Sequence, residues 1–249
     1  MKQAALRHDD NFYQFSDVPQ NIKAIVTTRV LNLGFYQQDE AQIKANRQRI
    51  LTALQLNLEQ LICAEQPHSN GVCVVGNDER GRGAVRFADA IRDADALVTN
   101  EKNVALAVFT ADCLPIFLID QKLSVVAVVH AGWRGTQKAI AQKTITTMQK
   151  AFGTHPENIA AYFGPAIRRC CYEVGREFLA YFKRGIYQEN DRIALDLIEL
   201  NYLALREAGV LDENIFDSGM CTACRNDTFF SFRREKEACG RQMALIVMQ

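Results

Sequence analysis

Apolar residues along the chain follow two patterns. Short runs rich in valine, isoleucine and phenylalanine occur at 24–28, 71–75, 104–110, 114–119, 124–129, 160–164 and 244–248. Runs of this length and composition predict strands. Helical spacing governs four other stretches. Asp39 is placed to cap a helix over 39–58, with Ile43, Ile50, Leu51 and Leu54 on its apolar face. A second helix is predicted over 136–152, stopped by Gly153, and a third over 173–182. A fourth covers 196–208, with Gly209 at the expected stop. Helices and strands intermix, and a hairpin sits in the middle. The expected fold class is therefore α/β of the mixed α+β kind, with mixed β-sheets covered by helices rather than a pure parallel array. No repeat, low-complexity tract or linker interrupts it, so one domain is expected over 1–249.

Composition narrows the picture. The 249 residues are 48% apolar, enough for a large core. Lysine plus arginine (29) balances aspartate plus glutamate (29), so no global field attracts nucleic acid or an anionic membrane. Neither kind of partner is expected. The first residues are polar, and no apolar run approaches the roughly 20 residues that span a bilayer. A cytoplasmic protein is expected. In that setting eight cysteines read as buried thiols, metal ligands or catalytic groups rather than a disulfide framework.

The most informative stretch is VALAVFTADCLPIFLIDQKLSVVAVVHAGWRG, residues 104–135. Two apolar runs flank Asp120-Gln121-Lys122-Leu123. A two-residue turn at Gln121-Lys122, or a four-residue loop pairing Ile119 with Ser124, places Cys113 opposite His130. Opposed residues have Cβ atoms about 5 Å apart, so the two side chains could share a metal or a proton. His130 leads into Gly132-Trp133-Arg134-Gly135, then a predicted helix. Glycines there permit close backbone approach. The helix N-terminus and Arg134 would suit an anion. Taken singly, a buried cysteine or a strand-end histidine is most often structural. Paired before such a turn, they read as functional.

Soft thiolate plus imidazole suits zinc or copper, and a catalytic zinc usually has three protein ligands. Of the four histidines, His8 lies in a polar N-terminal segment and His155 precedes Pro156. His68, just before the strand at 71–75, is the best third ligand. Asp112 adjoins Cys113, and Asp95 leads toward the same region. Arg233 and Arg234 in FFSFRREKEACGRQ offer a phosphate or carboxylate contact. Cys221-Thr222-Ala223-Cys224 is a CxxC without a second CxxC or a histidine pair, so its spacing argues against structural zinc. Cys170-Cys171 reads as packing.

TADCLPIFL, VVHAGWRGT, FGPAIRRCCYEVG and FFSFRRE…GRQ together resemble the YfiH-like laccase-domain family, whose members are described as purine nucleoside phosphorylases or polyphenol oxidases. The resemblance runs from about Ile25 to Val247. It implies one domain of mixed β-sheets sandwiched by helices and a zinc site at His68, Cys113 and His130. It also implies phosphorolysis of adenosine, inosine, guanosine and S-methyl-5′-thioadenosine, with adenosine deaminase activity. Two departures stand out. The family's Gln-Val-His-Gly is here Gln66-Pro67-His68-Ser69, and the loop after Thr27-Thr28-Arg29 is short.

The leading expectation is a zinc purine nucleoside phosphorylase whose small-molecule substrates are a purine nucleoside and phosphate, in a monomer or small homo-oligomer. Cys113, His130, Asp112 and Arg134 are the candidate catalytic residues, and Asp95, Arg233 and Arg234 the candidate substrate or phosphate contacts; Asp112 or Asp95 could also serve as proton carrier or as the residue that orients a ligand. The competitors are a cysteine hydrolase with Cys113 as nucleophile and His130 as base, a copper polyphenol oxidase, an enzyme of peptidoglycan-precursor editing, and a metal-binding protein without turnover. Four histidines in the whole chain are few for a multicopper centre.

Overall fold

In the computed structural model, which describes residues 1–249, the apolar runs assemble into two large mixed sheets packed face to face. The first sheet runs, in spatial order, Lys2–Gln3, Ile215–Asp217, Ile159–Phe163, Leu114–Asp120, Val125–Ala131, Ala96–Thr99 and Val72–Val74. The second runs Leu6–His8, Phe12–Phe15, Ile22–Thr27, Gln242–Met248, Ala105–Thr110 and Leu61–Cys63. A separate hairpin joins Ile186–Glu189 to Arg192–Leu195.

Side-chain alternation explains why the central strands are apolar at nearly every position. Phe117, Ile119, Val126 and Val128 of the first sheet meet Val26, Leu106, Val108 and Ile246 of the second. The intervening Ile116, Leu118, Ala127 and Val129 face outward onto the helices Ile140–Phe152 and Leu197–Glu207. On the other side, Ile25, Ala107 and Leu245 pack under the helix Glu40–Ala53 through Ile50 and Leu51. The result is four layers, helix–sheet–sheet–helix, with both faces of each sheet buried. Arg47 is fully buried between the rings of Phe35 and Phe109, at 4.2 and 4.4 Å from their centroids, and it donates to the carbonyls of Leu33, Gly83 and Ala84. No helix is long and apolar enough to cross a membrane.

Several predicted elements are revised. The helix expected over 39–58 ends at Ala53, with Asp39 capping it through a bond from the Gln42 amide. The helix expected over 136–152 is broken in two: Trp133–Gln137, then Ile140–Phe152 after Ala139 at φ 60°. The break occurs where the Asn70 side chain takes the Lys138 carbonyl and Gly135 lies against the Ser69 carbonyl, so this segment is tied to the neighbouring loop. Only Phe178–Tyr181 of the third predicted helix is helical. Its beginning is captured by the hairpin, through the Val174 amide on the Ile193 carbonyl and a bridge between Glu173 and Ala194. Strands of two to four residues, such as Ala96–Thr99 and Ile215–Asp217, escaped the periodicity reading because they are too short to show a period.

The hairpin register is also corrected. Asp120 pairs with Val125, so the loop is Gln121 to Ser124, and His130 stands opposite Pro115 rather than Cys113. The shift is two residues. A one-residue slip would have sent one side chain to the other face, whereas a two-residue slip preserves the face. Cys113 and His130 therefore still point the same way, as diagonal neighbours whose side chains can reach each other.

Candidate metal centre and active site

His130 continues the inter-sheet face of Val126 and Val128, at the end of a strand where the two sheets open. Pairing of Val129 with Ala96 sets Asp95 beside it, and the His130 amide donates to the Asp95 carbonyl at 2.7 Å. Cys113 follows the turn that leaves Ala105–Thr110 and enters Leu114–Asp120. His68 comes from the loop before Val72–Val74, with φ 61°. Nitrogen or sulfur donors of these three residues lie within 4.8 Å of one another. The rings of His68 and His130 meet edge to face, centroids 4.8 Å apart.

Asp95 organises the set. It is fully buried, and its carboxylate accepts from His130 Nδ1 at 2.8 Å, the His68 amide at 3.2 Å, and the Ser69 amide and hydroxyl at 2.6 and 2.9 Å. With Nδ1 engaged, His130 has only Nε2 left to turn toward Cys113, the arrangement that orients a metal-ligating imidazole. Burial alone would raise the Asp95 pKa, but the bonds from His130 and Ser69 outweigh it and hold it below the usual carboxylate range. Burial likewise opposes ionisation of Cys113, yet His130 and then His68 pull the thiol down to about 6. Burial opposes charge on His130, but the Cys113 thiolate and the Asp95 bond push it up to about 9. Both shifts run toward the charged pair, thiolate beside imidazolium.

Gly132 makes room for this arrangement. Its φ is an ordinary −75°, so backbone conformation does not demand glycine. A Cβ there would stand 2.9 Å from Cys113 Sγ and 3.5 Å from His68 Cδ2, inside the space the donors face. Burial grades from His130 (3% exposed) through half-buried Cys113 to exposed His68. The donor set is closed behind and open in front, and the donors fit a single soft or borderline ion with a free position.

Other predicted residues fall around it with altered roles. Of the roles open to Asp95, substrate contact, proton carrier or orienter of a ligand, its bonds fit the last, since both oxygens are engaged by His130, His68 and Ser69. Asp112, at φ 91°, has Oδ1 accepting from Thr222 Oγ1 at 2.6 Å and Oδ2 from the Arg233 amide at 2.7 Å, while its carbonyl accepts from the Ile167 amide. Those three bonds hold the left-handed conformation that aims Cys113. Arg134 is exposed and lies 4.4 Å over the Trp133 ring. The helix it opens has only five residues. Arg233 donates to the Glu173 carbonyl and lies 5.5 Å from the Tyr172 ring. Arg234 instead donates to the Ala223 carbonyl, and Arg29 reaches the same tail through Glu235.

Tyr172 is a site residue that the sequence reading did not single out. Burial raises its phenol well above the usual range; the Cys113 and Asp112 charges act in the same direction, against Arg233 and Arg134. The charges of Cys113, Asp112, Arg233 and Arg134 therefore all bear on this side chain. Its only sequence signal was its place in RRCCYEVG.

The cysteine readings are corrected as well. Cys170, Cys171, Cys221 and Cys224 converge, their sulfurs all within 4.8 Å of one another. Neither the CxxC nor the Cys-Cys pair is isolated.

Comparison with known proteins finds relatives in both sequence and fold. Residues 24–249 match the family described as multi-copper polyphenol oxidoreductase laccase. The chain is 36% identical over 229 residues to the purine nucleoside phosphorylase YlmD of Bacillus subtilis, covering 88% of this chain and 82% of that one. It is 34% identical over 248 residues to adenosine deaminase RL5 of an unknown prokaryote, covering 91% and 94%. The crystal structure of YlmD from Geobacillus stearothermophilus superposes with a TM-score of 0.94 at 31% identity, over 99% of each chain.

Proposed function

The chain belongs to the multi-copper polyphenol oxidoreductase laccase family, and from that membership and the site geometry we propose that it is a zinc-dependent purine nucleoside phosphorylase with adenosine deaminase activity, acting as one domain over residues 1–249. The observation that carries this reading is the convergence of His68, Cys113 and His130 with His130 locked by Asp95. Similarity to proteins named as a purine nucleoside phosphorylase and an adenosine deaminase supports an enzyme acting on small molecules.

Zinc held by these three residues would supply Lewis acidity beside the bound substrate. The chain's own residues supply the rest. In phosphorolysis the C1′–N9 bond of the nucleoside breaks, a C1′–O bond to phosphate forms, and the base leaves with a proton. Arg134 and Arg233 bring positive charge to the mouth and suit the phosphate. The Tyr172 ring lies beside Arg233, 5.5 Å from its guanidinium. Asp95 orients His130, and Asp112 aims Cys113; with both oxygens engaged, Asp112 is a positioning residue rather than a proton carrier.

A multicopper centre does not fit. His8 pairs in a strand beside Tyr13, and His155 is 70% exposed next to Glu157, so only two imidazoles reach the site. One copper ion has donors; several do not.

A second reading rests on the thiolate–imidazolium pair, which would also serve a cysteine hydrolase with Cys113 as nucleophile.

The test combines metal analysis with inosine phosphorolysis, on wild type and Cys113→Ala purified without chelator. Loss of zinc from this site together with ribose 1-phosphate formation in the variant is the expected result. Ribose 1-phosphate formation unchanged by Cys113→Ala would sink the proposal. Full activity after metal removal, abolished by iodoacetamide, would move the assignment to the hydrolase.

A further inference from the structure

We propose that Cys170, Cys171, Cys221 and Cys224 form a second, structural zinc site that clamps together the two segments walling the active site. The sulfurs of Cys170 and Cys224 are 3.6 Å apart, and those of Cys171 and Cys224 are 3.4 Å apart. A zinc ion with Zn–S bonds of about 2.3 Å spaces its sulfurs about 3.8 Å apart at tetrahedral angles. All four sulfurs lie within 4.8 Å of one another, a spacing that suits one ion. A multi-iron cluster would hold its cysteines farther apart. Four thiolates with no histidine or carboxylate select a soft or borderline tetrahedral ion over magnesium or calcium.

The backbone is arranged for the same purpose. Cys171 and Tyr172 both donate their amides to the Arg168 carbonyl, at 2.8 and 2.9 Å, so a tight turn brings the adjacent cysteines to one side. Arg192 holds the Arg169 and Cys170 carbonyls from outside. The CxxC arrives through a bridge between Ala166 and Cys221 and the Thr222 amide on the Ala166 carbonyl. Zinc with four thiolates carries two negative charges; Arg192 brings a guanidinium to the turn through the Arg169 and Cys170 carbonyls, while Arg168 and Arg169 are paired with Asp217 and Glu189. Four ligands fill the tetrahedron and leave no position for substrate, so the site is structural.

Its consequence for the first site follows from one hydrogen bond and one neighbour in the chain. Thr222, inside the CxxC, donates to Asp112, which aims Cys113. Tyr172, next to Cys171, holds its ring beside Arg233, the candidate phosphate contact. The clamp fixes both without touching the reacting atoms.

The experiment uses protein purified under reducing conditions without chelator, starting from Cys113→Ala to remove the first site. About one zinc per chain should remain in that variant and be lost when Cys170→Ser and Cys224→Ser are added. Cobalt reconstitution of Cys113→Ala should give thiolate-to-cobalt charge transfer of four-sulfur intensity, absent from the triple variant. Wild type provides a control that needs no folding of mutants. Alkylation followed by peptide mapping should find these four cysteines protected until the metal is stripped, then all four modified. Disulfides among them in wild type, iron in place of zinc, or unprotected thiols in metal-replete protein would overturn the proposal.

Discussion

The His68–Cys113–His130 set and the four-cysteine cluster are about equally tight, yet they are built in opposite ways. The first takes its ligands from strand ends and one strained loop, backs them with a buried carboxylate, mixes nitrogen with sulfur, and opens toward solvent at His68. The second takes all its ligands from turns, uses sulfur alone, and closes its own coordination sphere. The contrast separates two tasks. An ion that must meet a substrate needs an open position and oriented donors, and an ion that must hold loops needs only enough strong ligands. The two are linked through Thr222 and Asp112, so the stiffness of the second is passed to the geometry of the first.

Asp95→Asn is the sharpest way to break the comparison. It removes the charged partner of His130, and metal affinity at the first site should fall by about 10–100-fold with turnover following. Zinc at the cysteine cluster should be unchanged, as titration with a competing chelator would report. Gly132→Ala should come next. The added methyl intrudes on Cys113, and overpacking of about 1–3 kcal/mol predicts roughly a tenfold loss of metal affinity at the first site, with circular dichroism unaltered. Thr222→Val should have a smaller effect that crosses between the regions. It leaves Asp112 Oδ1 without its partner, at a cost of about 1–3 kcal/mol. The expected result is reduced stability in urea and a lower kcat, with both metals still bound.

The smallest effect is a difference in pH dependence. In metal-free protein the Cys113 thiol is held down to about 6, so thiolate predominates above that pH and is lost as pH falls through it. Cys171 is pushed the other way, up to about 11, by burial and by its hydrogen bond with Cys224. Iodoacetamide at pH 7 should therefore label Cys113 quickly and Cys171 slowly, with Cys113 labelling falling by half near pH 6. Equal rates at the two cysteines, measured by peptide mapping over a pH series, would contradict the contrast.

Much of the first site was legible. Cys113 and His130 stood out because both flank one hairpin, and short-range pairing constrains such residues even when the exact register is wrong. The register was off by two, and parity kept the conclusion intact. His68 followed from scarcity, since only four histidines compete for the role. Asp95 is legible as a carboxylate that could orient a ligand or carry a proton, but which ligand it orients is not, because its partner His130 is 35 positions away and the pairing of Val129 with Ala96 cannot be read from either segment alone. Tyr172 was passed over for the same reason.

The four-cysteine cluster was not legible at all. Cys170 and Cys224 are 54 positions apart, and their meeting depends on a bridge at Ala166 and on the hydrogen bonds of Thr222. By itself, then, the sequence determined what local periodicity and residue chemistry can carry: strands and helices long enough to show a repeat, a mixed sheet around a central hairpin, and a soft donor pair at its open end. Tertiary structure alone decided which short strands lie side by side, and hence that Asp95 supports His130 and that two cysteine pairs become one cluster. Sheet order and loop closure are set by burial summed over the whole core, and no single segment contains that sum.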